Sequence, residues 1–460
     1  SRTAWSDDAQ GRISGKQQNQ PGRQYTVLYP HDTHGRPQGI VYPSGIGVIQ
    51  LYDAGGRPYV LATLNQNGYQ LLYYVVEFHP FGGPKVALFG NQQPRLDIND
   101  LDGRRYAYSR DGDYRVLAYD QSSRIQFIYP AANPAQVHQY QYDDLDRLTG
   151  WLSPQGNEGY NYDPSGNRQQ HIVGGESYTY TYPTDSHRLA ATSGPQAKTN
   201  QYDAAGHLIS DGTTTYTYDA RGRLIQAVGN GITAQYQING LGQRIRKTLS
   251  GALNEQTDYV YDEQGKLIGE YNAQTGQMIQ EYVWHGDTLV AILKGTPAAT
   301  EIYSVESDHL GTPRQIRDSN RALRWQWDAD PFGKLPPNAN PEGLGNFSFN
   351  LRLPGQYADR ETNTYYNYFR DYDPSTGRYI QSDPIGLKGG INTYLYAKAD
   401  VLRRTDRRGL ADIDLYKNDG SDDDLRAVDK KWNPSDCISI AGHGDEWGSL
   451  ETLTVDELVA

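Results

Sequence analysis

The chain has 460 residues, with 43 Lys+Arg against 55 Asp+Glu and a net charge of −12, a balance that argues against nucleic-acid binding as its main task. Its single Cys excludes an internal disulfide and a multi-cysteine zinc site, and no apolar run reaches the roughly 18 residues a bilayer-spanning helix needs. With 38 Tyr and 49 Gly against 8 Phe, the composition points to an all-β chain of strands and tight turns.

Length alone predicts roughly three domains. The first residue is Ser1 and the only Met is Met278, which predicts a piece of a longer product whose targeting signal lies outside it. From about residue 140 one unit recurs: an alternating strand, Tyr-Asp, two or three turn residues, then a basic and an aliphatic residue. Copies are Tyr142-Asp143 with Arg147-Leu148, Tyr162-Asp163 with Gly166 and Arg168, and Tyr202-Asp203 with Gly206 and Leu208. Tyr218-Asp219 with Arg223-Leu224 and Tyr261-Asp262 with Lys266-Leu267 continue it. Asn239 to Arg244 is a degenerate copy, and Tyr52-Asp53 and Tyr119-Asp120 are outlying ones. Thr213 to Tyr218 alternates with period two, as a strand should. Asp opens the turn with its side chain and Gly takes the positive-φ position. A unit this small holds no core alone, so the units must stack. Near 410 the composition changes. The last 50 residues carry −9 of the net −12, the only Cys (Cys437), and one Tyr (Tyr416), which marks a module boundary.

These units resemble the YD repeats of the Rhs proteins, which are similar to the C subunits of Tc toxin complexes. A collinear set of strings downstream resembles the Rhs-associated core. It includes Asp308-His309-Leu310-Gly311-Thr312-Pro313-Arg314, Asp330-Pro331-Phe332-Gly333, Pro354-Gly355-Gln356-Tyr357 and Tyr365 to Arg370. Gly377-Arg378-Tyr379, Asp383-Pro384-Ile385-Gly386-Leu387 and Gly389 to Tyr394 complete it. The resemblance implies a β-hairpin spiral wound into a hollow shell, capped by the core segment and enclosing a variable C-terminal toxin. The expected divisions are 1–139 (diverged β-repeat or an adjoining β-domain), 140–300 (YD shell), 301–410 (core with autoprotease) and 411–460 (the start of a short α/β-like toxin).

The resemblance also implies a single-turnover aspartyl autoprotease. The matched residues are Asp383, Asp406 and Arg370, and the implied scissile bond is Leu410–Ala411, which coincides with the charge boundary. Two carboxylates sharing a proton can serve as base toward water and acid toward the carbonyl, and Arg370 can orient a carboxylate or stabilise negative charge. Taken as bare sequence, Asp-Pro and Asp-x-x-Gly are also ordinary turn openings, and Arg370 could be a structural ion pair. Two family prolines are replaced, giving Asp400-Val401 and Asp406-Arg407, and Arg403, Arg404, Arg407 and Arg408 crowd Asp406 in sequence. That crowding would lower an Asp pKa.

Beyond 410, Cys437 to Ala441 reads as a buried strand leading to Gly442-His443-Gly444, with a capping box at Thr454 and Glu457. This order is similar to the first half of caspase-like cysteine peptidases, with His443 as the general base of a nucleophile that the chain does not reach. No motif calls for a cofactor or metal. The predicted function is an encapsulated toxin that self-cleaves for delivery from a bacterium into target cells. Its expected partners are its own toxin as cargo, a secretion component or Tc-type B subunit, and an immunity protein. The alternatives are a YD-repeat surface adhesion or interaction protein, similar to teneurins and wall-associated proteins, and a degenerate, uncleaved Rhs remnant.

Overall fold

The computed structural model describes residues 2–410 except 66, 67, 81, 111 and 196, together with the backbone of 413–414. Ala411, Cys437, His443, Thr454 and Glu457 lie outside the described residues, as does nearly all of the expected α/β-like segment.

Among the described residues the chain is a meander of antiparallel strands. Nineteen strands from Arg2 to Thr199 form one sheet and thirteen from Gln201 to Gln326 a second, each strand pairing with the next in sequence. Among the described residues the only helical pieces are the short 3-10 turns Gly386–Gly389 and Ala397–Ala399. The repeat turn explains the regularity. In the copy at Asp120, Oδ1 accepts the amides of Ser122 and Arg124 at 2.9 Å, and Oδ2 accepts Arg124 Nε at 2.7 Å. The Arg124 guanidinium lies over the Tyr142 ring of the following copy, 5.2 Å from its centroid. Tyr142 Oη in turn donates to the Ile125 carbonyl at 2.8 Å. Asp, Arg and Tyr therefore lock consecutive hairpins together as well as shaping each turn. The same turn occurs at Asp8–Arg12, Asp32–Arg36, Asp53–Arg57 and Asp100–Arg104, where sequence inspection found only Tyr52-Asp53.

The sheet register slips by one residue beside the turn, for example at Gln141/Tyr142, Asn161/Tyr162, Thr217/Tyr218 and Val260/Tyr261. Such bulges sharpen local twist and bend the strand, and repeated at one edge they coil the sheet. The coil returns on itself after 212 to 246 residues. Lys16 Nζ donates to the carbonyls of Tyr261 and Asp262 at 2.9 Å, Tyr42 Oη to Tyr282 O at 2.8 Å, and Arg95 Nη1 to Ser307 O at 3.1 Å. An apolar layer including Val27, Val48, Leu72, Val283, Val290 and Leu293 fills this seam.

The segment from 330 to 410 lies across the row of repeat turns. The Gly206 carbonyl accepts Tyr394 Oη at 2.7 Å, the Leu241 carbonyl accepts Tyr368 Oη at 2.7 Å, and Asp146 pairs with Arg403 at 3.0 Å. His309 Nε2 meets the Leu402 carbonyl at 2.8 Å. A rim of turns thus holds one compact segment, centred on the buried rings of Tyr372, Tyr379 and Tyr396.

Candidate active site

Three stretches meet around Arg370. The hairpin Thr364–Asn367 to Arg370–Asp373 presents it, and the shell grips the hairpin tip. Arg223 donates to the Tyr368 carbonyl at 2.8 Å and lies 3.8 Å over the Phe369 ring. Asp219 still accepts the Arg223 amide at 3.0 Å, but the guanidinium on its carboxylate is that of Arg221, which leaves the Arg223 side chain for the hairpin tip. Asp383 opens the turn Asp383–Gly386, and Asp406 opens the turn that ends at Leu410.

Each carboxylate does two things. Asp383 Oδ1 accepts the Ile385 amide at 2.9 Å, and Asp406 Oδ1 accepts the amides of Gly409 and Leu410 at 2.7 and 3.0 Å. The turn role that Asp-Pro and Asp-x-x-Gly suggest is therefore real. The Oδ2 atoms of both face the same nitrogen, Arg370 Nη2, at 2.9 Å from Asp383 and 3.1 Å from Asp406. Arg370 further donates through Nε to the Gly409 carbonyl at 2.6 Å and through Nη1 to the Thr393 carbonyl at 3.0 Å. All three side chains are buried, and Leu410 is 7 % exposed.

Sequence inspection missed two further residues. Tyr379 Oη donates to Asp406 Oδ2 at 2.8 Å, and its ring carries the Arg370 guanidinium 3.7 Å above it. Asn367 Nδ2 donates to Tyr379 Oη and to the Asp406 carbonyl, both at 2.7 Å. Both residues lie within the quoted strings, but neither residue type announces a site. The four acceptor positions of the Asp406 carboxylate are thus filled, two by backbone amides, one by Arg370 and one by Tyr379. Asp383 is held more sparsely. Burial pushes its carboxyl up to about 6; Arg370 and the Ile385 amide pull the other way, and the Asp406 charge adds to the rise.

The crowding of Asp406 by neighbouring arginines does not carry over into space as the sequence suggests. Arg403 and Arg404 turn to Asp400, at 2.7 and 3.6 Å, and Arg407 pairs with Asp287; the guanidinium on Asp406 is that of Arg370. Glycines admit the chain into the site. A Cβ on Gly355 would lie 2.0 Å from the Arg407 carbonyl oxygen, and one on Gly409 2.7 Å from that of Asn367. Beyond Leu410, Ile413–Asp414 pairs antiparallel with Arg404–Thr405. Among the described residues, no group of three or more His, Cys, Asp or Glu is placed to hold a metal ion, and no helix is long and apolar enough to cross a membrane.

A coiled antiparallel sheet of Tyr-Asp turns, its rim holding a compact buried segment, defines a YD-repeat shell. The chain belongs to the teneurin YD-shell family, whose model matches residues 98–393. It is similar to the putative uncharacterized protein YibJ of Escherichia coli (strain K12), with 40% identity over 159 residues covering 35% of this chain and 64% of that protein. The probable deoxyribonuclease RhsA of Dickeya dadantii (strain 3937) is 30% identical over 418 residues, covering 84% of this chain and 26% of that one. The toxin protein Tse5 of Pseudomonas aeruginosa is 27% identical over 396 residues, covering 71% and 29%. The chain therefore spans 64% of YibJ and less than a third of the other two. The crystal structure of TcdB2-TccC3 without its hypervariable C-terminal region shares the fold, at a TM-score of 0.72 and 17% identity, over 89% of this chain and 23% of that one.

Proposed function

We propose that this chain is part of an Rhs-type toxin shell that cuts itself after Leu410 and so frees an enclosed C-terminal cargo from its tether. The single observation that carries this reading is Arg370. It joins Asp383, Asp406 and the Gly409 carbonyl, the residue before Leu410, in one buried cluster. A purely structural ion pair has no need of the backbone carbonyl just ahead of a module boundary.

The division of labour is unequal. Asp406, with its acceptor positions filled, holds the amides of Gly409 and Leu410 and so sets the segment in place. Asp383, pushed up to about 6, is poised to exchange a proton near neutral pH. It takes a proton from water as the water oxygen bonds to the Leu410 carbonyl carbon. The bond to Ala411 then breaks, and the proton passes from Asp383 to the departing amine. Arg370 keeps the negative charge of the two carboxylates compatible with burial.

On this reading the partners are the cargo that follows Leu410, a delivery component or Tc-type B subunit, and an immunity protein in the producing bacterium. The protein is delivered from that bacterium into target cells. The toxin relatives support this direction. A peptidase-like role for His443 in the cargo is a separate proposal within it.

The test is the intact mass of the purified protein under denaturing conditions, beside Asp383→Asn. Wild type should give a fragment ending at Leu410 and a small acidic one starting at Ala411, with the variant whole. A wild type that stays whole would favour an uncleaved remnant or an interaction protein. If both cleave alike, Asp383 does not make the cut.

A further inference from the structure

Glycines in this chain sit mostly in turns at positive φ, where the backbone conformation itself calls for them. Gly389 is different. It ends the 3-10 turn Gly386–Gly389 and is absent from the positive-φ residues, so its backbone would accept any L-residue. Space is what excludes a side chain. A Cβ on Gly389 would lie 2.5 Å from Asp383 Oδ2, 3.1 Å from its Cγ and 3.0 Å from the Leu410 carbonyl oxygen. The neighbouring Gly390 gives the contrast: its φ is 135°, and a Cβ there would meet nothing within 4 Å.

Two of the close atoms are the ones that matter in the proposed cut, the sparsely held carboxylate oxygen and the carbonyl of the scissile bond. Both lie against one Cα. They are therefore near enough to each other for a single water to bridge them. We infer that Gly389 is a positioning residue for self-cleavage, its bare Cα letting the 386–390 loop press Asp383 onto the Leu410 carbonyl. The inference rests on the autoprotease reading above. A methyl at 389 has nowhere to go. The Asp383 carboxylate is held by its own turn and by Arg370, and the Leu410 amide is held by Asp406. The methyl therefore wedges the carboxylate from the carbonyl and removes water from the carboxylate's free side.

The experiment is a cleavage time course of the full chain made by cell-free synthesis and chased into buffers from about pH 5 to 8. Wild type, Gly389→Ala, Gly390→Ala, Leu387→Ala and Asp383→Asn are compared. Displacing reacting groups by a fraction of an ångström to one ångström slows a reaction on the order of ten- to a hundredfold. Gly389→Ala should slow cutting by at least about tenfold and move the midpoint of its pH profile upward, since the carboxylate loses further hydration. Leu387→Ala, in the same loop and exposed, should cut at the wild-type rate. Gly390→Ala, which strains the loop without filling the site, should stay within a few-fold of wild type. Thermal midpoints in the Asp383→Asn background, with and without Gly389→Ala, read folding separately and should agree. The inference is overturned if Gly389→Ala cuts at the wild-type rate, if its pH midpoint is unmoved, or if Gly390→Ala is slowed equally. An uncut wild type overturns the autoprotease reading itself. Cutting by wild type but not Asp383→Asn, with Gly389→Ala unimpaired, overturns this inference alone.

Discussion

Arg370 and Asp371 are neighbours in the chain that serve opposite faces of one strand: Arg370 Nη2 lies 2.9 Å from Asp383, and Asp371 Oδ1 lies 3.4 Å from Arg244 Nη2 in the shell wall. Alternation along a strand dictates this, and it ties the cluster at Leu410 mechanically to the sheet around it. Arg244 also pairs with Asp359 at 2.5 Å, and Lys247 joins Asp359 and Glu361 at 2.9 and 3.3 Å. Together these buried groups clasp the compact segment to the wall.

Removing one partner of a buried ionic network strands the others. Arg244→Met leaves Asp371 and half of the Asp359 contacts without their cation, and should lower stability by about 3–5 kcal/mol, read by urea denaturation. Because the same hairpin presents Arg370, the proposed self-cleavage should slow as well. Unchanged stability would mean that the clasp contributes nothing net.

The rate of self-cleavage should depend on pH in a stated direction. In the proposed cut Asp383 would act as base only when ionised, and its carboxyl is pushed up to about 6 by burial. The rate should therefore rise with pH through about 6 and level off above it. A rate that falls over that interval would make Asp383 the acid instead.

The seam between successive turns of the coil holds a carboxyl with no cation among its hydrogen-bond partners. Glu281 accepts Tyr271 Oη at 2.5 Å and the Oγ and amide of Ser44 at 2.8 and 3.2 Å, and burial pushes it up to about 7. The folded state therefore holds this proton more tightly than the unfolded chain. Stability from this group is fully present below the unfolded value, near 4.5, and is lost as pH rises through about 7. Glu281→Gln removes the ionisation and should stabilise the protein at pH 8 by on the order of 1–3 kcal/mol, with little gain near pH 4. Thermal midpoints at the two pH values check it, and an equal gain at both would sink the assignment.

The repeat lock can be tested one bond at a time. Tyr142→Phe removes the hydroxyl that reaches the Ile125 carbonyl but leaves the ring under Arg124. It should cost about 1 kcal/mol. Arg124→Ala removes both the ion pair to Asp120 and the stack, and should cost more than Tyr142→Phe. Urea midpoints of the two variants decide this.

Much of this protein is written locally. Asp at the opening of each turn, Gly at its positive-φ position and alternation in the strands are consequences of backbone sterics and short-range hydrogen bonds, so they can be read from a few consecutive residues. Those residues located the turns at Asp143, Asp163, Asp203, Asp219 and Asp262 and the all-β class. The family strings singled out Asp383, Asp406 and Arg370. The turns at Asp8, Asp32 and Asp100 escaped because each lacks the Tyr before the Asp, although Asp and Arg make the same bonds there.

Which turn-opening Asp also faces another carboxylate is a different kind of fact. Asp383 and Asp406 use Oδ1 as the other turn Asps do; only their Oδ2 atoms, directed by the packing of three separate stretches onto Arg370, set them apart. The same holds for Tyr379, one of 38 tyrosines, for Arg403 and Arg407, which sequence placed on Asp406 and packing sends elsewhere, and for Gly389, whose need for glycine comes from Asp383 and Leu410. Local conformation is fixed by neighbours in the chain. Proximity between residues tens to hundreds of positions apart is decided only by how the coil closes and what its rim holds.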